Sequence, residues 1–286
     1  MGSEGRDAGH HGLAAGESPG LQGLGKNLGE RQKGMEKNMK IGLVSVTFRN
    51  RSAEEVLSLC RENGVDVIEW GGDIHVPTGD YETAKRVGEM TRAGGMEVFS
   101  YGSYYRLGEQ ENWEEAFAPV LRTAECLRCS YIRVWAGTKS SRMAGEEDFR
   151  NAEKELRQIC RMAEQSGMRI ALEYHSNTLT EDWKSALRLA EETKAPNLFL
   201  YWQPNPDISQ EEKLEELRRL RDWICNVHTF FWEKGNIRRP LKEGESMWQE
   251  YAAILKGRDI PYMLEFVKDD EEQQFFEDLE TLRHLL

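Results

Sequence analysis

The feature that most constrains this chain is its rhythm. From Met39 to Leu286, short apolar runs alternate with amphipathic stretches of helical period, without a break. The runs are Lys40–Val46, Val65–Trp70, Glu97–Tyr101, Tyr131–Ala136, Arg169–Tyr174, Leu198–Trp202, Ile224–Thr229 and Tyr262–Val267. Each is short, mostly apolar and rich in β-branched or aromatic residues, as strands buried on both faces are. Between them lie helices with clear signals. Ser52-Ala-Glu-Glu55 and Ser209-Gln-Glu-Glu212 are capping boxes, and Phe275, Phe276, Leu279 and Leu282 recur at helical spacing. Gly64, Gly95 and Gly167 stand where helices end before the next strand.

Strict alternation requires parallel strands, because each return crosses over through a helix. Eight strands and eight helices predict a (β/α)8 TIM barrel, a single domain over residues 39–286. An open doubly wound sheet would alternate too. It calls for a glycine fingerprint after the first strand, where Val46-Thr-Phe-Arg-Asn50 stands instead. Residues 1–38 hold ten of the 26 glycines and no hydrophobic period, which predicts a flexible N-terminal tail.

A net charge of −12 argues against a nucleic-acid partner or an anionic membrane surface, since both need basic groups. No apolar run is long enough to span a bilayer, and no segment of residues 1–38 resembles a secretory signal. Five scattered cysteines do not suggest a disulfide framework, and a cytoplasmic location is expected. Cys126 and Cys129 form a C-x-x-C with no second half for zinc, so they read as two half-buried thiols between a helix and a strand.

In a barrel of this kind the chemistry sits at the C-terminal ends of the strands. Glu173 and His175 end the fifth, Gln203 follows the sixth, His228 ends the seventh and Glu265 the eighth; the second leads into Glu69, Asp73 and His75. Two glutamates in apolar strands with a histidine between them call for a divalent cation, because buried carboxylates repel. Oxygen and imidazole donors suit Mn²⁺, Mg²⁺, Co²⁺ or Zn²⁺.

These residues resemble the xylose isomerase-like barrel superfamily of sugar and sugar-phosphate isomerases and epimerases. The most specific stretch is Leu172-Glu-Tyr-His-Ser-Asn-Thr-Leu-Thr180; Asn226-Val-His228, Leu264-Glu265, and Pro240, Trp248 and Tyr251 also match. The resemblance implies one divalent metal held by Glu173, Gln203, His228 and Glu265. The family's fourth ligand is an aspartate whose position Gln203 occupies, and the histidine that often follows is replaced by Pro206. It further implies isomerisation or epimerisation through an enediolate, with Glu173 and Glu265 as the acid/base pair. A metal-dependent lyase or glycoside-cleaving enzyme acting on a keto-sugar, and a non-catalytic sugar-binding protein, stay open beside it. A DNA-repair endonuclease of the same superfamily needs more histidine ligands than His75, His175 and His228 supply.

The implied partner is a small-molecule carbohydrate, with homo-oligomer formation left open. Its expected contacts are His175, Glu69, His75, Trp135, Trp202, Trp232 and Arg239. Trp70 and Arg238 are further candidates, and the tryptophans among them offer stacking faces.

Overall fold

The computed structural model describes residues 39–286, so the segment expected to be a tail lies outside the described residues. The strands are β1 (Ile41–Val44), β2 (Val67–Gly71), β3 (Glu97–Arg106), β4 (Tyr131–Trp135), β5 (Arg169–Leu172), β6 (Leu198–Trp202), β7 (Ile224–Thr229), the hairpin β8 (Phe231–Glu233) and β9 (Ile237–Arg239), and β10 (Tyr262–Leu264). The helices are α1 (Ala53–Glu62), α2 (Tyr81–Ala93), α3 (Trp113–Leu127), α4 (Glu146–Gln165), α5 (Trp183–Thr193), α6 (Gln210–Leu220), α7 (Glu245–Leu255) and α8 (Glu272–Leu285). Eight strands close in the order β1-β10-β7-β6-β5-β4-β3-β2, with parallel pairing throughout, and β8 pairs antiparallel with β9 outside the barrel. The barrel expected from the alternation is the barrel found.

Local chemistry accounts for the element ends. The Ser52 hydroxyl accepts the Glu55 N–H while the Glu55 carboxylate accepts the Ser52 N–H, and Ser209 and Glu212 repeat the exchange at α6. Gly64, Gly95 and Gly167 all take positive φ just past a helix, a conformation that costs glycine little. Cys126 is half-buried and Cys129 buried between α3 and β4, where the Cys129 thiol donates to the Tyr131 carbonyl at 3.2 Å.

Strand side chains alternate between two cores. One set faces the helices and makes the large outer core, with Leu43, Ile68, Trp70, Leu172, Trp202 and Leu264 among its members. The other fills the lower barrel with Val44, Val67, Phe99, Ala171, Tyr201, Cys225 and Met263. Above that plug, the same inward face carries charged groups in place of apolar ones. Among the described residues no helix is long and apolar enough to cross a membrane.

Candidate metal centre and active-site cavity

Glu173 and Glu265 are the first residues past β5 and β10, and their N–H groups still bond to the neighbouring strands at Val134 and Thr229. His228 lies within β7. All three side chains are buried, and one ligand atom from each lies within 4.8 Å of the others. The His228 Nδ1 sits 3.2 Å from Glu265 Oε2 and 3.8 Å from Glu173 Oε1, while Nε2 faces Glu69 Oε1 at 3.9 Å. Neither ring nitrogen has a hydrogen-bond partner, although both are buried. An orphaned imidazole nitrogen aimed between two carboxylates fits a divalent cation of the carboxylate- and imidazole-binding kind. Burial pulls the His228 pKa down, but Glu265 and Glu69 outweigh it and push it up to about 10.

A cation belonging to the chain itself stands beside this cluster. Arg133, near the middle of β4, is fully buried and pairs with Glu173 through Nη1 and with Glu69 Oε1 through Nε, the latter at 2.9 Å. The Ser100 hydroxyl donates to the other Glu69 oxygen at 2.7 Å. Burial raises the Glu69 pKa, yet Arg133, His228 and Ser100 together hold it down to about 2. Gly102 makes room for this pair. A Cβ there would lie 2.6 Å from Arg133 Nη2 and 3.0 Å from Glu69 Oε1, so no larger residue fits without moving the guanidinium. The ring of Tyr104 covers the guanidinium at 4.9 Å.

Arg133, Glu173 and Glu265 floor a cavity of about 300 Å³ walled by Tyr104, Trp135, His175, Gln203, Trp232 and Phe266. Tyr104 and Phe266 both hold left-handed backbone, at φ 58° and 49°, where aromatic residues are strained. At the rim Arg49 pairs with Asp73 and donates to the Tyr104 hydroxyl at 2.9 Å. The His175 ring stacks on Trp135 at 4.4 Å, with Arg106 over the same indole at 4.2 Å. His175 Nδ1 lies 2.8 Å from the Ser176 carbonyl, which can only accept, so Nδ1 carries a proton and Nε2 is the other ring nitrogen. The Gln203 amide donates to the Tyr174 carbonyl at 2.8 Å, which fixes the amide's orientation. The indole N–H groups of Trp135 and Trp232 are buried without partners.

The turn after β5 is held from within. Thr180 donates to the Glu173 carbonyl at 2.6 Å, and Thr178 donates to the His175 carbonyl at 2.7 Å. Glu181 accepts from Ser140, Ser141 and the Asn177 N–H, tying this turn to the loop after β4.

The structure thus brings Glu173, Gln203, His228, Glu265, His175, Trp135 and Trp232 to one place. Six other expected or candidate contacts lie elsewhere. Trp70 and Trp202 point outward, Trp70 donating to Thr91 and Trp202 packing on Tyr251 and Trp248. Each follows or precedes an inward residue, Glu69 or Gln203, so strand alternation turns it to the helices. His75 is engaged by Ser45 and the Arg51 carbonyl, against the edge of Trp70, away from the cavity walls. Glu69 lies beneath the floor, locked to Arg133. Arg239 pairs with Glu233 across the β8–β9 hairpin, and Arg238 pairs with Asp270. Conversely, Arg133, Arg49, Tyr104 and Glu181 were not anticipated.

A family model described as xylose isomerase-like TIM barrel matches residues 57–285. The chain belongs to that family. Within it, the chain is similar to a 3-dehydroshikimate dehydratase of Bacillus anthracis, 28% identical over 203 residues that span 66% of this chain and 71% of the relative. A solved structure of an enzyme described as a probable 3-DHS dehydratase from Bacillus anthracis superposes with a TM-score of 0.74 at 23% identity, covering 85% of this chain and 98% of that one. The D-psicose 3-epimerase of Clostridium cellulolyticum H10 superposes at 0.64 and 13% identity (86% of this chain, 98% of that one). A 3-keto-D-glucoside 4-epimerase from E. coli gives 0.67 and 16% (87% and 100%). At those identities the structural likeness speaks for the fold, and the barrel relatives carry both dehydratase and epimerase names.

Proposed function

We propose that this chain is a metal-dependent lyase that removes water from a β-hydroxy ketone of carbohydrate type bearing a carboxylate. The observation that carries this reading is the Arg133–Glu173 ion pair. Isomerisation or epimerisation by two carboxylates needs both free to exchange a proton with substrate carbon. Here the guanidinium engages one Glu173 oxygen and His228 faces the other, whereas Glu265 meets His228 through Oε2, which leaves its Oε1 for that work. One base suffices for an elimination. Glu265 takes the proton alpha to the ketone, and the electron pair of the broken C–H bond forms the enolate. As the carbonyl reforms, that pair becomes the C=C bond and the β-hydroxyl departs. It leaves as water with the proton that Glu265 returns, so the enzyme ends as it began.

Glu173, His228 and Glu265 would hold a divalent ion, with Gln203 on the same cavity wall, and that ion would supply electrophilic pull on the ketone. The remaining contacts come from the chain. His175 Nε2 accepts from a substrate hydroxyl, Trp135 and Trp232 offer their free indole N–H groups, and Arg49 at the rim faces a carboxylate. The 28% identity to a 3-dehydroshikimate dehydratase supports the same reaction class. The isomerase or epimerase expected first from sequence becomes the second reading, supported by fold likeness to epimerases.

The test is to incubate the Mn²⁺-loaded protein with 3-dehydroshikimate and follow the absorbance of a conjugated product, with chelator and Glu265→Gln as controls. Dehydration that both controls abolish is the expected result. No dehydration, together with deuterium uptake from heavy water at the α-carbon of a ketohexose, would establish the epimerase in its place.

A further inference from the structure

We infer that the buried Glu69–Arg133 pair is a charge lever that sets how tightly this site holds its metal, with Arg133 weakening and Glu69 strengthening the grip. Arg133 spends its fork on two carboxylates, Glu173 in the ligand cluster and Glu69 outside it. Its charge is fixed, because a guanidinium does not lose its proton in a protein. The residue is 2% exposed, so water screens its field little. A divalent ion bound by Glu173, His228 and Glu265 therefore sits next to a permanent like charge and shares one ligand with it.

Glu69 acts in the opposite sense. It is wholly buried, contributes no atom to the ligand cluster, and faces His228 from the far side of the ring at 3.9 Å. Its negative charge offsets part of the guanidinium's and adds an attractive field at the site. With His228 neutral, as a metal ligand must be, Glu69, Glu173 and Glu265 against Arg133 leave two negative charges around it, the amount one divalent ion neutralises. The arrangement is built in. Gly102 gives up its side chain to the guanidinium and Ser100 fixes the free oxygen of Glu69. The sequence replaces a charged ligand by Gln203 in the same site, and Arg133 works in the same direction. Both leave the cation less neutralised by its ligands and so more electrophilic.

The test is a calorimetric titration of Mn²⁺ into the metal-free full chain, with no substrate present. Arg133→Gln should tighten Mn²⁺ binding by about tenfold or more, and Glu69→Gln should weaken it by a similar factor. The double variant should return close to wild type, and Arg133→Lys, which keeps the charge, should stay close as well. A merely structural role would loosen the site in every variant, so weakening in both single variants overturns the inference. So does tightening in Arg133→Lys equal to that in Arg133→Gln, because shape would then matter and charge would not. The inference rests on the metal reading of Glu173, His228 and Glu265. Wild-type protein that binds no Mn²⁺ overturns that reading and the lever with it, whereas wild-type binding with unmoved variants overturns the lever alone.

Discussion

The hydroxyl of Thr180 donates to the main-chain carbonyl of Glu173, seven residues earlier, at 2.6 Å. Both residues are buried, and the Thr178 hydroxyl, which donates to the His175 carbonyl, accepts the Thr180 N–H at 3.2 Å. A turn that leaves β5 is thereby bent back to brace the residue where β5 ends. Thr180→Val keeps the shape and removes the donor, orphaning a buried carbonyl. We expect a loss of about 1–3 kcal/mol in stability by denaturant unfolding. Mn²⁺ affinity should fall with it, and Thr180→Ser should restore both.

Glu265→Gln should remove metal binding and turnover together while the barrel stays folded. The amide retains the size of the side chain but not the charge that holds a divalent ion. Circular dichroism unchanged from wild type, with metal content near zero after dialysis, is the expected pair of results. Full activity in excess chelator would exclude the metal from the reaction.

Gln203→Asp should tighten Mn²⁺ binding, because a carboxylate attracts the ion more strongly than an amide oxygen. It should also cost about 1 kcal/mol of stability, since the hydrogen bond to the Tyr174 carbonyl is lost. Titration and thermal unfolding of the same variant measure the two effects separately. Identical titration curves would place Gln203 outside the ligand set.

A pH effect arises on the outer side of the barrel. Glu216, buried on α6 near Tyr174, has its pKa raised by burial to about 7, above the ordinary value of 4.5. Between those values the native state binds the proton more tightly than the unfolded chain does. Its contribution is therefore full below about pH 4.5 and is lost as pH rises to about 7. Glu216→Gln should remove that loss, raising the melting temperature clearly at pH 8 and little at pH 5. Equal shifts at both values would show that packing, not protonation, is responsible.

Much of this molecule was legible as pattern. The alternation gave the barrel, and the strand ends gave Glu173, His228 and Glu265, because position in the fold decides where catalytic groups can stand. Two of the misplaced residues share one cause. Trp70 and Trp202 stand near strand ends, as mouth residues do, but the two-residue period of a strand turns them to the opposite face from Glu69 and Gln203. Arg133 escaped notice as one charge inside Tyr-Ile-Arg-Val-Trp, although an arginine amid a buried strand is itself the signal. Tyr104 was missed because β3 runs to Arg106, past the Tyr101 end expected for it. Its left-handed backbone has no signature in a tyrosine.

The apolar plug of Val67, Phe99, Tyr201 and Met263 beneath the charged floor has a kinetic consequence. Among the described residues, a vessel stoppered at the bottom is entered from the strand-end side, where Trp232 and Phe266 line the wall. Whatever forms inside has to retreat along the path by which its precursor came. Arrival and departure then take turns, and crowding the solution with product slows turnover competitively.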